Sequence, residues 1–346
     1  MQNRTRIVHV LDDTAMGGVT RALENFQHPA LVAFGAQETR DMRHSTVRAT
    51  SRRDIAVIHF TANWQKLAWL LDLRLRGGFS KLILIEHTYT AGFEAHEVTP
   101  KRRFRRMLKL AYRLVDTVVA VSQAQRAWML DHKLASADKI VAIPQSRDCQ
   151  SLQKLAPARR APGPLRLGAF GRFHKQKGFD LLIEAMARIP ADRAVLKLAG
   201  TGPDEARLRQ RAAKLPHVEI CAAFSSPEAF LADTDMIAIP SRWEAFGLVG
   251  TEARAAGRPI LAAWIDGLQD QLDETGVAHA PNDVESLVCA ILQAAAAKDI
   301  EPRGAAARTR AAGEYDQMIQ RWQALFQASL GSSESGSRRS ATLRLG

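Results

Sequence analysis

Cysteine is scarce in this chain of 346 residues: Cys149, Cys221 and Cys289 stand far apart, cannot all pair and show no metal-ligand spacing. That excludes a disulfide-stapled scaffold, and a reducing cytoplasm is the simplest compartment. Long apolar runs are missing as well. None approaches the roughly 18 residues that a bilayer crossing needs, so the chain does not read as an integral membrane protein. Near the start only Ile7 to Leu11 is apolar and no small-residue cleavage site follows, so no secretory signal is expected. The Gly-x4-Gly-Lys-Ser/Thr order of a phosphate-binding Walker A loop is absent too.

What remains is an ordinary soluble composition, 46% hydrophobic and 24% charged, in a length that fits two domains rather than one. The net charge of +12 is uneven. Residues 1–150 carry 23 Lys+Arg against 14 Asp+Glu, which accounts for most of the excess and points to an anionic partner. Its densest part, Lys101 to Leu114, holds seven basic residues and no acid. Phe104, Met107, Leu108, Ala111 and Leu114 recur there at helical spacing, giving one apolar and one basic face. This segment reads either as an element for an anionic membrane surface, through Lys101 to Arg113, or as a helix packed on its own sheet with solvated arginines. Only Phe104 and Tyr112 could stack on bases, so nucleic acid is not the expected partner.

Strand-like and helix-like segments alternate along the chain. Strands are expected at Arg6 to Leu11, Asp54 to Phe60, Lys81 to His87, Thr117 to Ser122 and Lys139 to Pro144. A second series has strands at Leu165 to Phe170, Ala194 to Ala199, near Val218, Asp235 to Ile239 and Pro259 to Trp264. Such alternation implies parallel pairing, hence α/β doubly wound sheets. The Pro- and Arg-rich stretch between the two series separates an N-terminal domain, residues 1–150, from a C-terminal one, residues 165–310, by a linker at 151–164. A helix at 311–330 and a disordered tail at 331–346 complete the expected organisation.

Several strand ends carry chemistry. In the first series, Gly17 and Gly18 form a turn after the first strand where a ligand could approach the backbone, and His87 closes another strand. In the second, Gly171-Arg172 ends a strand and Lys177-Gly178 precedes its helix. This pattern suits a diphosphate, with Arg172 binding bidentately and Lys177 acting as a point charge. Gly200-Thr201-Gly202-Pro203 resembles a piece of a dinucleotide fingerprint but lacks its third glycine, so a dinucleotide site is not expected. Pro240 to Glu252 holds two glutamates, Glu244 and Glu252, on either side of Phe246-Gly247-Leu248. There a loop turns into a helix whose unpaired N–H groups favour an anion.

These three ordered motifs, with Gly257-Arg258-Pro259 followed by Gly267 as a fourth, resemble the C-terminal domain of glycosyltransferases of the family 4 (group 1) type. The resemblance is strong over roughly residues 165–300 and weak before, through Gly17-Gly18 and His87. It implies the GT-B architecture, two Rossmann-like doubly wound domains facing each other across a cleft. It further implies a retaining, metal-independent transfer from a nucleotide-diphosphate sugar to a glycan or lipid-linked acceptor, with no separate cofactor. On that likeness the protein would serve cell-surface polysaccharide or glycolipid synthesis from the cytoplasm, peripherally at the inner face of the membrane. Arg172 and Lys177 would neutralise the departing diphosphate and Glu252 would hold the ribose. Glu244 and the backbone of Phe246, Gly247 and Leu248 would fix the sugar and a phosphate, with Gly171 and Gly202 lining the donor. Gly17 and Gly18 would close on the diphosphate, and His87 would contact the sugar. Arg172 and Glu244 are both expected to be exposed. Two other readings keep the fold but not the reaction: a sugar-nucleotide-binding, membrane-associated protein without turnover, and a sugar-nucleotide epimerase. The chain departs from the family pattern at Pro144-Gln145-Ser146, where an Asn-Gly turn is usual, at Ala222-Ala223, and at Gln269.

Overall fold

The computed structural model describes residues 5–12, 22–156, 158, 160, 162–224 and 226–342, with residues 332–342 as backbone only. Gly17 and Gly18 lie outside the described residues.

The chain divides into two units. The first gathers residues 1–89, 97–145 and 316–346 around a parallel sheet of six strands. These are β1 (Arg6–Leu11), β2 (Ala36–Asp41), β3 (Ile55–Ile58), β4 (Lys81–Glu86), β5 (Thr117–Ala120) and β6 (Ile140–Ala142), in the order β2-β1-β3-β4-β5-β6. The second, residues 90–96 and 146–315, holds β7 (Leu165–Phe170), β8 (Ala194–Ala199), β9 (Val218–Cys221), β10 (Met236–Ile239), β11 (Ile260–Ala263) and β12 (Val277–His279). They run β12-β11-β10-β7-β8-β9, all parallel. Both are doubly wound α/β sheets of the GT-B kind. Strands such as Ile55–Ile58 and Ile260–Ala263 are buried along their whole length because helices cover both sheet faces. In each unit the strand order reverses once, between β1 and β3 and between β7 and β10. At such a switch point the loops leaving the carboxyl ends diverge and open a crevice for ligand.

Four features depart from the sequence reading or settle a point it left open. Strand β2, AQETRD, is polar and half exposed because it is an edge strand, so it lacks the apolar pattern by which strands are read. The stretch expected as a linker at 151–164 belongs to the second unit. Leu152 is buried there, and Arg160 donates to Asp235 at 3.5 Å and to the Ala295 carbonyl at 3.1 Å. The C-terminal helix runs from Glu314 to Thr342, so helical backbone replaces the expected disorder over residues 331–342. Gly313, at φ +86°, breaks it from the helix Ile300–Ala311. From Asp316 it groups with the first unit, where Trp322 lies edge-on to Phe26 at 4.9 Å. Finally, the apolar stripe of the helix Lys101–Leu114 is spent on the core: Met107, Leu108, Ala111 and Tyr112 are buried. Its basic face stays at the surface, with Lys101, Arg102, Arg103, Arg106 and Arg113 exposed.

Candidate active site

The site of the second unit is built at its switch point, between the loops after β7 and β10. After β7 the chain passes Gly171, at φ +145°, where an added Cβ would make only ordinary contact with Lys177 and Phe179, then the exposed Arg172. A 3-10 turn, Lys175–Lys177, leads to Gly178 and the helix Phe179–Met186. Gly178 has φ +66°, and a Cβ there would stand 2.0 Å from the Pro240 carbonyl oxygen. A glycine is therefore what lets the two loops touch. They are then stitched: Arg242 N–H donates to the Gln176 carbonyl at 2.7 Å, and Gln176 Nε2 to the Trp243 carbonyl at 3.1 Å. The result is an ion pair, Lys177 Nζ to Glu244 Oε2 at 2.5 Å, with Ser241 Oγ donating to the same oxygen at 3.3 Å. Arg172 makes no hydrogen bond or ion pair among the described residues, so of the two expected diphosphate cations Lys177 is bound and Arg172 is free.

Glu244 is buried rather than exposed, and its backbone is held from beneath. Its N–H donates to Asp266 at 3.2 Å, and its carbonyl accepts from Gly267 N–H at 3.0 Å. Asp266 also accepts from Thr90 Oγ1 at 2.7 Å and Gly92 N–H at 3.0 Å. Burial raises its carboxyl above the ordinary range, against these donors. Gly267 is required because a Cβ would meet the Ala245 carbonyl oxygen at 2.2 Å. Sequence reasoning found none of the Asp266 contacts, since a turn aspartate carries no signal of the backbone it will hold.

Gly247, at φ +92°, caps the helix Leu248–Ala255 with no side-chain bond to its first turn. Among the described residues the amides of Leu248 and Val249 have no acceptor, as the expected anion-binding helix start requires. Gln271 fixes the turn by donating to the carbonyls of Phe246 (2.6 Å) and Gly247 (3.1 Å). About one helical turn along, Glu252 is buried and pairs with Arg147 Nη1 at 2.5 Å. Arg147 was not among the sequence candidates. Gly202 faces the neighbouring loop: a Cβ there would stand 2.4 Å from the Phe173 carbonyl oxygen, so close packing of the loops explains it.

The metal-independent reading expects no Asp-x-Asp triplet, and that expectation is wrong: the chain holds one, Asp233-Thr234-Asp235. Its acids are structural. Asp235 is buried and accepts from Arg166 N–H (2.9 Å) and guanidinium (2.6 Å), and Asp233 pairs with Lys197 at 2.9 Å. They precede β10, at the end of the sheet opposite the site.

His87 belongs to the first unit, in a hydrogen-bonded chain of three imidazoles. Its Nδ1 lies 2.8 Å from Gln145 Nε2 and its Nε2 3.4 Å from His59 Nδ1; His59 Nε2 lies 2.9 Å from His9 Nδ1, and His9 Nε2 2.8 Å from Gln37 Oε1. Gln37 sets the direction, because its Nε2 donates to the carbonyls of Leu31 and Gly35 and leaves Oε1 to accept. Each ring is then a neutral Nε2–H tautomer, assigned by this network. Burial pushes His9 and His87 down to about 4, and His59 is lowered by burial and by its two neighbours. Both nitrogens of His87 are engaged, so a sugar contact would have to displace one of these bonds.

A family model, Glycosyl transferases group 1, matches residues 164–297, and a second, Glycosyltransferase Family 4, matches residues 18–151. The chain is 33% identical over 161 residues to the lipopolysaccharide core biosynthesis mannosyltransferase LpsB of Rhizobium meliloti (strain 1021), which covers 42% of this chain and 45% of that one. It is 30% identical over 223 residues to a D-inositol 3-phosphate glycosyltransferase of Geodermatophilus obscurus, covering 55% and 48%. The chain thus spans about half the length of the curated relatives it matches. Among solved structures, a glycosyltransferase from Rickettsia africae ESF-5 superposes with a TM-score of 0.70 at 16% identity, over 95% of this chain and 99% of that one. Anabaena Alr3699/HepE in complex with UDP and glucose gives 0.72 at 17%, over 95% and 100%. At these identities the likeness is one of fold.

Proposed function

Since the chain belongs to the family 4 (group 1) glycosyltransferases of GT-B architecture, we propose that it moves a sugar from a nucleotide-diphosphate sugar to a glycan or lipid-linked acceptor, with retention of anomeric configuration. The observation that carries this reading is the Lys177–Glu244 pair beside the exposed Arg172, at the switch point where the helix Leu248–Ala255 offers free amides. When the C1–O bond of the donor breaks, the diphosphate takes the electron pair and its negative charge grows. Arg172 and Lys177 stabilise that charge in place of a metal ion, and the amides of Leu248 and Val249 add fixed dipoles. Lys177 is held by Glu244 until a diphosphate competes for it. Glu244 then turns to the sugar hydroxyls, while Glu252, oriented by Arg147, takes the ribose. His87 meets the sugar once a ring nitrogen is released from its chain. That a solved structural neighbour holds UDP and glucose supports starting with uridine donors.

A lipid-linked acceptor implies work at a membrane surface from the cytoplasm, for which the exposed basic row of Lys101 to Arg113 supplies the charge. The test is a thermal-shift screen of the whole chain against nucleotide sugars, followed by nucleotide release with acceptor and anomer assignment of the product by NMR. The reading fails if no nucleotide sugar raises the Tm, or if Arg172→Ala and Glu244→Gln turn over like the wild type. An altered sugar nucleotide formed without acceptor would favour an epimerase.

A further inference from the structure

Five large apolar side chains are conspicuously exposed among the described residues, and four of them stand on one face of the first unit: Trp64 (43%), Leu71 (45%), Leu75 (72%) and Leu110 (38%). Trp64, Ala68, Leu71 and Leu75 follow one another at spacings of four, three and four, along the turn 64–66 and the helix Leu67–Arg76. They form a single outward stripe, whereas Leu70 and Leu73 of the same helix fill the core. The helix Lys101–Leu114 packs beside it, with the Arg103 guanidinium over the Trp64 ring at 5.6 Å. Its outward row is Arg103, Arg106, Leu110 and Arg113, flanked by exposed Lys101 and Arg102. None of these basic side chains has an ion-pair partner among the described residues. Next to this row, beside the C-terminal half of the same helix, lies an open cavity of about 540 Å³. Lys109, Arg113, Lys133 and Lys139 line it with no carboxylate among the lining residues.

We propose that this face docks on a bilayer leaflet containing anionic phospholipid. Trp64, Leu71 and Leu75 enter the headgroup and acyl boundary, the arginine row lies against lipid phosphates, and the lysine-lined cavity accepts one phosphorylated headgroup. The combination selects the partner. Protruding leucines have no counterpart on a nucleic acid, and a row of unpaired arginines is unfavourable against a neutral surface. The anchors come from the neighbouring helix because the basic helix has already spent its own apolar stripe on the core. This deepens the membrane-side part of the function proposed above and is independent of the transfer chemistry.

The test is co-sedimentation of the full chain with vesicles of phosphatidylcholine alone or mixed with phosphatidylglycerol, across salt. Binding only to the anionic vesicles, weakening as salt rises, is expected. Leu71→Ser/Leu75→Ser lowers the partition coefficient by roughly tenfold or more, and Arg103→Gln/Arg106→Gln by a similar factor while flattening the salt dependence. Donor-induced Tm shifts of the same variants in solution stay at the wild-type value, which separates a failure of docking from a failure of the donor-site reading. Equal binding to neutral vesicles, unchanged partition of the leucine variant, or a dimer in solution that the leucine changes dissolve would overturn the proposal.

Discussion

Acidification from about pH 7 to pH 5 should loosen the first unit, through the histidines that cross its sheet. His9 is 2% exposed in β1 and its pKa is pushed down to about 4, while an unfolded histidine titrates near 6.5. Between those values the unfolded chain binds a proton that the folded chain refuses, so stability is complete above about 6.5 and falls as pH drops toward 4. At about pH 5 the unfolded ring is favoured by 1.5 pH units, and at 1.36 kcal/mol per unit this is about 2 kcal/mol from His9 alone. His59 and His87 are displaced the same way and add to it. Glu86 opposes the effect, because its raised pKa lets the folded state take up a proton first. Asp54, with a lowered pKa, acts only at more acid pH. Hydrogen exchange of peptides spanning β1 and β3, corrected for intrinsic rates, measures the change at the strands concerned. His9→Gln keeps a polar group in the chain and removes its titration, so the pH response of the variant shrinks by about 2 kcal/mol. Equal protection at the two pH values in the wild type, or an undiminished response in His9→Gln, refutes the reasoning.

Other changes report on the second unit. Lys177→Ala removes a charge-assisted contact and leaves Glu244 buried without its cation, so donor affinity measured by calorimetry should fall by about 2 kcal/mol, roughly thirtyfold. Unchanged affinity would remove Lys177 from the diphosphate. Gly178→Ala meets both a positive φ and the Pro240 oxygen, and should cost about 1–3 kcal/mol in thermal stability while lowering turnover further by displacing Lys177. Wild-type behaviour would show that the loops need not touch. Asp266→Asn leaves one acceptor oxygen where the carboxylate offers two to Thr90, Gly92 and Glu244, so at least one of these donors loses its bond, and a loss of about 1–3 kcal/mol is expected by denaturant melting.

What was legible in the sequence follows from how each feature is encoded. Strands β1, β7 and β8 are buried apolar runs bounded by turns, and their limits match the sequence reading residue for residue. The donor-side motifs were legible because local chain geometry makes them: a glycine at a strand end, a cation five residues on, a loop turning into a helix. Polar strand β2 and the contacts that support Glu244 were not, since an edge strand carries no apolar period and Asp266 finds Thr90 across 176 positions. The histidine chain is the clearest case. In the sequence His87 stands as a candidate sugar contact and nothing ties it to His9 or His59; only the order β1-β3-β4 puts the three side by side. That arrangement also accounts for a departure visible in the sequence. Where the family resemblance led to the expectation of an Asn-Gly turn after the last strand of this unit, Gln145 stands, and its amide donates to His87 Nδ1 at 2.8 Å. A residue that looked like a loss of pattern therefore occupies Nδ1 of the histidine expected at the sugar. Gln145→Ala would free that nitrogen to accept from a hydroxyl, so donor KM should respond to it more than the stability of the sheet does. Loss of stability with KM unchanged would make the chain of rings purely architectural.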